Sequence, residues 1–167
     1  EGFLSESDIL LIAKILLGSK GLIKEEMLPL LKRLFACCPD AEEQKAIKEL
    51  TANEMLYYKG PVHGQELSEK INTIFMAKQM QQRIEFDYKR LDDKVVHRIA
   101  EPAGLIFSEY YFYMDAQVEW IHEEKKYTDI VRYRVDRIQG QIKVLEEHFY
   151  VEYSKKYDES YAREKSP

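Results

Sequence analysis

Two periodicities divide the chain. Over roughly its first eighty residues, apolar positions recur every three or four; from Arg83 onward they alternate with polar ones. The first pattern is that of helices with one buried face, the second that of half-buried strands. Ser5-Glu6-Ser7-Asp8 has the form of a capping box, with Ser5 at the N-cap and Asp8 three residues on, and Leu4 and Ile9 are spaced for a hydrophobic staple. A first helix is therefore expected to about Gly18. A second is expected from Lys24 to Cys38, kinked or delayed by Pro29, because proline lacks the N–H that closes a helical turn. Pro39-Asp40 separates it from a third, opened by Asp40 with Glu43 and reaching about Tyr57. Lys59 to Gly64 is the strongest linker signal. Beyond it Leu67, Ile71, Ile74, Phe75 and Lys78 trace one face of a fourth helix, ending near Met80.

The second half predicts strands over 83–89, 95–100, 105–107, 110–116, 118–121, 127–138 and 142–145, with a break at Pro102-Ala103-Gly104. Asp92-Asp93, Ser108-Glu109 and Glu123 to Lys126 are the turns. Short strands on tight turns after a run of helices give an α+β class: a helical segment followed by a small, strongly bent antiparallel sheet or barrel. The expected organisation is a helical spacer over 1–64, a barrel with its leading helix over 65–150, and a linker over 151–167. The chain opens on Glu1 instead of methionine, from which a longer, trimmed protein is expected.

Parity on the strands separates core from site. Tyr110, Phe112 and Met114 are the greasier set and should face the core, leaving Tyr111, Tyr113 and Asp115 on a wetter face. Tyr133 and Val135 are the matching core pair, so Arg132, Arg134 and Asp136 point the other way. Arg137 breaks the alternation and belongs at a strand end or bulge. Arginines beside tyrosines make an anion pocket with flat rings for stacking, since a guanidinium offers a planar fork of donors. Arg98, on a neighbouring strand, can join that surface. An alternative stays open: these arginines form a solvated face paired with Glu85, Asp87 or Asp115, each pair contributing roughly 0–1 kcal/mol.

Charge narrows the partners. The 167 residues carry a formal net charge of −5, which argues against broad binding along a nucleic-acid backbone and confines any such contact to a local patch. The longest apolar run, Ile9 to Leu17, is broken by Lys14 and is too short to span a bilayer, so no membrane association and a cytoplasmic location are expected. Cys37 and Cys38 are adjacent and are expected to be a reduced, buried pair. His63, His97, His122 and His148 lack metal-ligand spacing, and no phosphate loop or nucleophile motif occurs. No enzyme, metal or cofactor is expected.

The block RIEFDYKRLDDKVVHRIAEPAGLIFSEYYFYMDA, followed by VRYRVDRIQGQIKVLEEHF, resembles the WYL domain of bacterial helix-turn-helix transcriptional regulators. Tyr110-Tyr111-Phe112 occupies the naming triplet, Tyr133 to Ile138 the later arginine-rich motif, and Arg98 with Pro102 the motif before the triplet; Val131 stands where an arginine is commonest. The resemblance implies an Sm-like or SH3-like barrel that senses a small anionic or nucleotide-like ligand. It also implies an N-terminal winged helix-turn-helix that binds DNA, a C-terminal extension domain and a homodimer. Carried over, Arg98, Tyr111, Arg134 and Arg137 are ligand contacts; Tyr113 and Arg132 join them by strand parity alone. Two other functions stay open, a dimerisation module and a barrel binding single-stranded nucleic acid.

Overall fold

The computed structural model describes residues 3–149. The expected linker over 151–167 lies outside the described residues. The chain divides into two units, Glu1–Glu66 and Leu67–Pro167.

The first unit contains α1 (Glu6–Ser19), α2 (Lys24–Ala36) and α3 (Ala41–Leu56). The capping box is complete: Ser5 Oγ accepts from the Asp8 N–H at 3.1 Å, and Asp8 Oδ2 accepts from the Ser5 N–H at 2.9 Å. These bonds favour the carboxylate and hold the Asp8 pKa below its ordinary value. Asp40 caps α3 in the same way, accepting from the Glu43 N–H at 2.9 Å. Pro29 lies inside α2 without delaying it. Its position is exposed, so the carbonyl it leaves unpaired can turn to water. Ile9, Ala13 and Leu17 on α1 meet Met27, Leu31 and Phe35 on α2 and Ile47 on α3, each set spaced by single turns. Cys38 belongs to this core, whereas Cys37 is exposed, so the pair expected to be buried is split between core and surface. Tyr58 closes the core, its hydroxyl donating to the Leu22 carbonyl, and burial raises its pKa. Gly60 follows because only a missing side chain fits there: a Cβ would stand 2.8 Å from Ile23 Cα.

The second unit opens with α4 (Ser68–Met80) and continues as β1 (Gln82–Lys89), β2 (Val95–Ser108), β3 (Tyr111–His122), β4 (Lys125–Arg134) and β5 (Ile138–His148). A single 3-10 turn, Val135–Arg137, separates β4 from β5. Helix α4 buries Ile74 and Ala77, while Phe75, expected on the same face, is half exposed. The strands pair antiparallel in the order β4-β3-β2-β1-β5. The α+β class is as expected, and of the bent sheet or barrel it is the sheet that forms, left open because β4 and β5 share no ladder. The sheet is nevertheless curled. Five flat strands would hold the outer two about 19 Å apart, yet the 3-10 turn joining them rises only about 6 Å.

Other boundaries also differ from expectation: the strand expected over 127–138 ends at Arg134, where the 3-10 turn cuts it. Pro102-Ala103-Gly104 does not break β2: a register shift there makes a bulge, which admits a proline with no N–H to donate. Tyr110 leaves the strand altogether. With Glu109 it forms a two-residue hairpin turn at φ 76 and 46, as Glu123 and Glu124 do between β3 and β4, a left-handed pair that matches the twist of the flanking strands.

Candidate functional site

Strand β2 has two partners. It pairs with β1 over Val95–Ala100 and with β3 over Glu101–Ser108. The β1–β2 and β3–β4 hairpins therefore part company on the Val95–Ala100 side of Glu101, and beyond Gln117 strand β3 is held only by β4. The gap between them is a cleft of ≈ 700 Å³, within the size range of small-molecule sites. Tyr88, Arg98, Trp120, Arg132 and Tyr133 are among the residues lining it.

Tyr133 is buried at this cleft, as parity predicts. It meets Phe86 edge-on with centroids 5.2 Å apart and Tyr88 at 4.9 Å. Burial raises the pKa of both phenols, and the Tyr88 hydroxyl accepts from the Arg134 N–H at 3.2 Å. Arg98 hydrogen-bonds the Tyr133 side chain and draws its pKa partly back down. Arg98 Nη1 also donates to the carbonyl of His97 at 2.9 Å. Among the described residues no carboxylate stands within ion-pair distance of Arg98. Trp120, 45% exposed, stacks on Tyr127 with rings 16° from parallel and 5.8 Å apart. The cleft thus combines an unneutralised guanidinium, two phenols and an indole plane.

The other predicted arginines are differently placed. The β3–β4 register sets Asp115 opposite Arg132 and Tyr113 opposite Arg134. Arg132 grips Asp115 through two bonds of 2.7 and 2.8 Å. Arg134 grips Asp136 at 3.1 and 2.7 Å, an interaction that raises its pKa, and lies 3.9 Å over the Tyr111 ring. Arg132 stands 5.7 Å over Tyr113. Asp115 and Asp136, expected on the wetter face, are both buried, each compensated by its arginine. Arg137 sits in the 3-10 turn, off the strand as its parity requires. Its Nη1 donates to the carbonyls of Lys89 and Arg90, while its Nε is buried without a hydrogen-bond partner. Of the six sequence candidates, the structure brings Arg98 and Arg132 to the cleft. Tyr111, Tyr113 and Arg134 form a ladder along β3 and β4, and Arg137 ties the corner to the end of β1. Tyr88, Tyr133 and Trp120 were not among the candidates. The first two read as core by alternation, and only the singularity of Trp120 in the sequence could have drawn notice.

His97, next to Arg98, bridges two carboxylates of β1: Nδ1 lies 2.8 Å from Asp87 Oδ1 and Nε2 2.7 Å from Glu85 Oε1. Both ring nitrogens must carry protons to satisfy both acids, and the bonds to Asp87 and then Glu85 raise the His97 pKa. A raised folded-state value stabilises the fold fully below the unfolded pKa of about 6.5, and that contribution disappears as pH rises through the folded value. An NMR titration should give His97 a higher midpoint in the wild type than in Asp87→Asn; equal midpoints would contradict the bridge.

Among the described residues no three metal-ligating side chains are grouped to hold an ion, and no helix is long and apolar enough to cross a membrane. Residues 69–143 match the family model described as the WYL domain. No curated protein matches the chain. A solved structure described as Proteasome accessory factor B/C (PafBC) of Arthrobacter aurescens is similar at 21% identity with a TM-score of 0.40. The similarity covers 87% of this chain and 21% of that one, so the chain spans about a fifth of that protein's length.

Proposed function

From the premise that residues 69–143 are a WYL domain, we propose that this unit is the ligand-sensing regulatory domain of a bacterial transcriptional regulator, binding an anionic, nucleotide-like ligand in the cleft between its two hairpins. The DNA-reading part of such a regulator is a winged helix-turn-helix, and the working form is a homodimer. The observation that carries the ligand reading is Arg98. It is a guanidinium at a cleft of small-molecule size, anchored by Tyr133 and lacking a carboxylate partner among the described residues. A phosphate would supply the missing negative charge, and the exposed Trp120 ring offers a surface for a base. Arg132 and Arg134 serve a different role in this reading. Their carboxylates already occupy their forks, so they shape the wall and the ladder beside it. Arg137, with Tyr111 and Tyr113, supports the same frame. The proposal assigns binding, not catalysis, to the cleft.

The test is calorimetric titration with mono-, di- and cyclic nucleotides. A charge-assisted hydrogen bond contributes about 1.5–3 kcal/mol, so Arg98→Gln should weaken the best ligand roughly ten- to a hundredfold while leaving the fold intact. The same affinity in wild type and variant, or no heat from any nucleotide, would reject the assignment. A steep fall in oligonucleotide affinity with salt would point instead to a single-stranded nucleic acid.

A further inference from the structure

The helical unit carries a second feature that the ligand reading does not use. Helices α2 and α3 lie antiparallel, each end tied to the other. Lys24 Nζ, at the start of α2, donates to the Leu56 carbonyl at the end of α3 at 2.9 Å. Gln44 Nε2, near the start of α3, donates to the Phe35 carbonyl at the end of α2, also at 2.9 Å. Between the two helices runs a groove of ≈ 620 Å³ whose apolar lining is Leu28, Phe35, Ala52, Met55 and Leu56. Leu28 and Met55 are half-buried and Leu56 is 62% exposed.

Its rim is positive. Lys24, Lys32 and Lys48 complete the lining. The two end-to-end bonds put Lys32 level with Lys48 across the groove, while Lys24 stands eight residues earlier on α2, about 12 Å away. Among the described residues none of the three has a carboxylate at ion-pair distance, although the chain as a whole is acidic. The unit does pair lysines elsewhere, as Lys14 with Glu54. Lys24 makes do with a carbonyl, and Lys48 with the Gln44 side chain at 3.3 Å. The groove is therefore an apolar strip with a cationic pole at each end, two lysines at one and Lys24 at the other.

We propose that this groove docks one amphipathic, acidic α-helix of a partner protein. Leucine, phenylalanine or methionine side chains would lie on the strip, with carboxylates about two turns apart at the poles. Two parallel ridges with a trough between them are the shape that takes a third helix. The 12 Å between the poles sets the partner's register: an acid at position i, apolar residues at i+3 and i+4, and a second acid at i+7 or i+8. A carboxylate at the two-lysine pole lies within reach of both Lys32 and Lys48. The groove lies in the unit without the nucleotide cleft, so this proposal stands or falls independently of the ligand.

The experiment uses the full chain, labelled with ¹⁵N, and two synthetic helices of about 16 residues, long enough to hold some helix alone. One repeats Glu-x-x-Leu-Leu-x-x-Glu; in its twin every glutamate is lysine. The acidic helix should shift the amides of Leu28, Ala52 and Met55 and bind at least tenfold more tightly than its twin. In the Lys24→Glu/Lys32→Glu/Lys48→Glu chain the preference should reverse, and such a gain of affinity cannot come from misfolding. The proposal is overturned if neither helix shifts these amides, if both bind the wild type equally, or if the substituted chain keeps the original preference.

Discussion

Replacing Arg132 with methionine is expected to destabilise the sheet unit by about 3–5 kcal/mol, the range for breaking a buried ion pair from one side. The sequence leaves open that this arginine belongs to a surface pair contributing 0–1 kcal/mol. Burial decides between the two. The Asp115 side chain is 2% exposed and that of Arg132 28%, and two short bonds join them. Methionine retains much of the packing volume but leaves a carboxylate in the interior without its cation. Replacing both members, as Arg132→Met with Asp115→Leu, should return most of the loss, because the uncompensated charge is then gone. Urea unfolding followed by Trp120 fluorescence reports on this unit alone, since it holds the chain's one tryptophan. A loss below about 1 kcal/mol in the single variant would mean that water reaches the pair freely.

The second large effect lies in the ring stack behind the cleft. Phe86 is 2% exposed, on β1, and meets the buried Tyr133 ring edge-on. Removing its ring in Phe86→Ala forfeits the transfer free energy and leaves a void against the Tyr133 ring, which the surrounding strands can close only in part. A loss of about 3–5 kcal/mol follows. Function should suffer as well. Tyr133 would lose a neighbour that sets its orientation, and Arg98 is anchored to Tyr133. The expected result is a lower urea midpoint on the same fluorescence signal, with Phe86→Leu falling between wild type and alanine. A cost near 1 kcal/mol for alanine would show that the neighbours collapse into the space.

Where the chain decides its own conformation within a few residues, sequence reading reached the structure. The Ser5–Asp8 box, the Asp40 cap, the alternation of Ile84, Phe86 and Tyr88, and the corner at Arg137 all depend on contacts three or four positions apart or on strict period two. Phe75 shows the limit: its spacing fits the helix stripe, yet α4 buries Ala77 and leaves Phe75 half exposed, a choice made by tertiary packing and not by the helical period. The acids show it again. Asp115 and Asp136 read as wet from parity, since a lone carboxylate belongs in water, and only the cross-strand register and the 3-10 turn bring the arginines that let them be buried.

By itself, then, the sequence determined the helices, the alternation of most strand positions, the WYL resemblance, and the set of arginines and tyrosines from which a site can be built. The tertiary structure alone decided that β2 divides its length between two partners and so opens a cleft, and that Arg98 faces it with no acid among the described residues, where Arg132 and Arg134 each have one. The reason is distance along the chain. Caps and periodicities are set by neighbours within a turn or a strand, whereas ladder register and ion-pair choice join residues such as Asp115 and Arg132, which meet only once the whole sheet has formed.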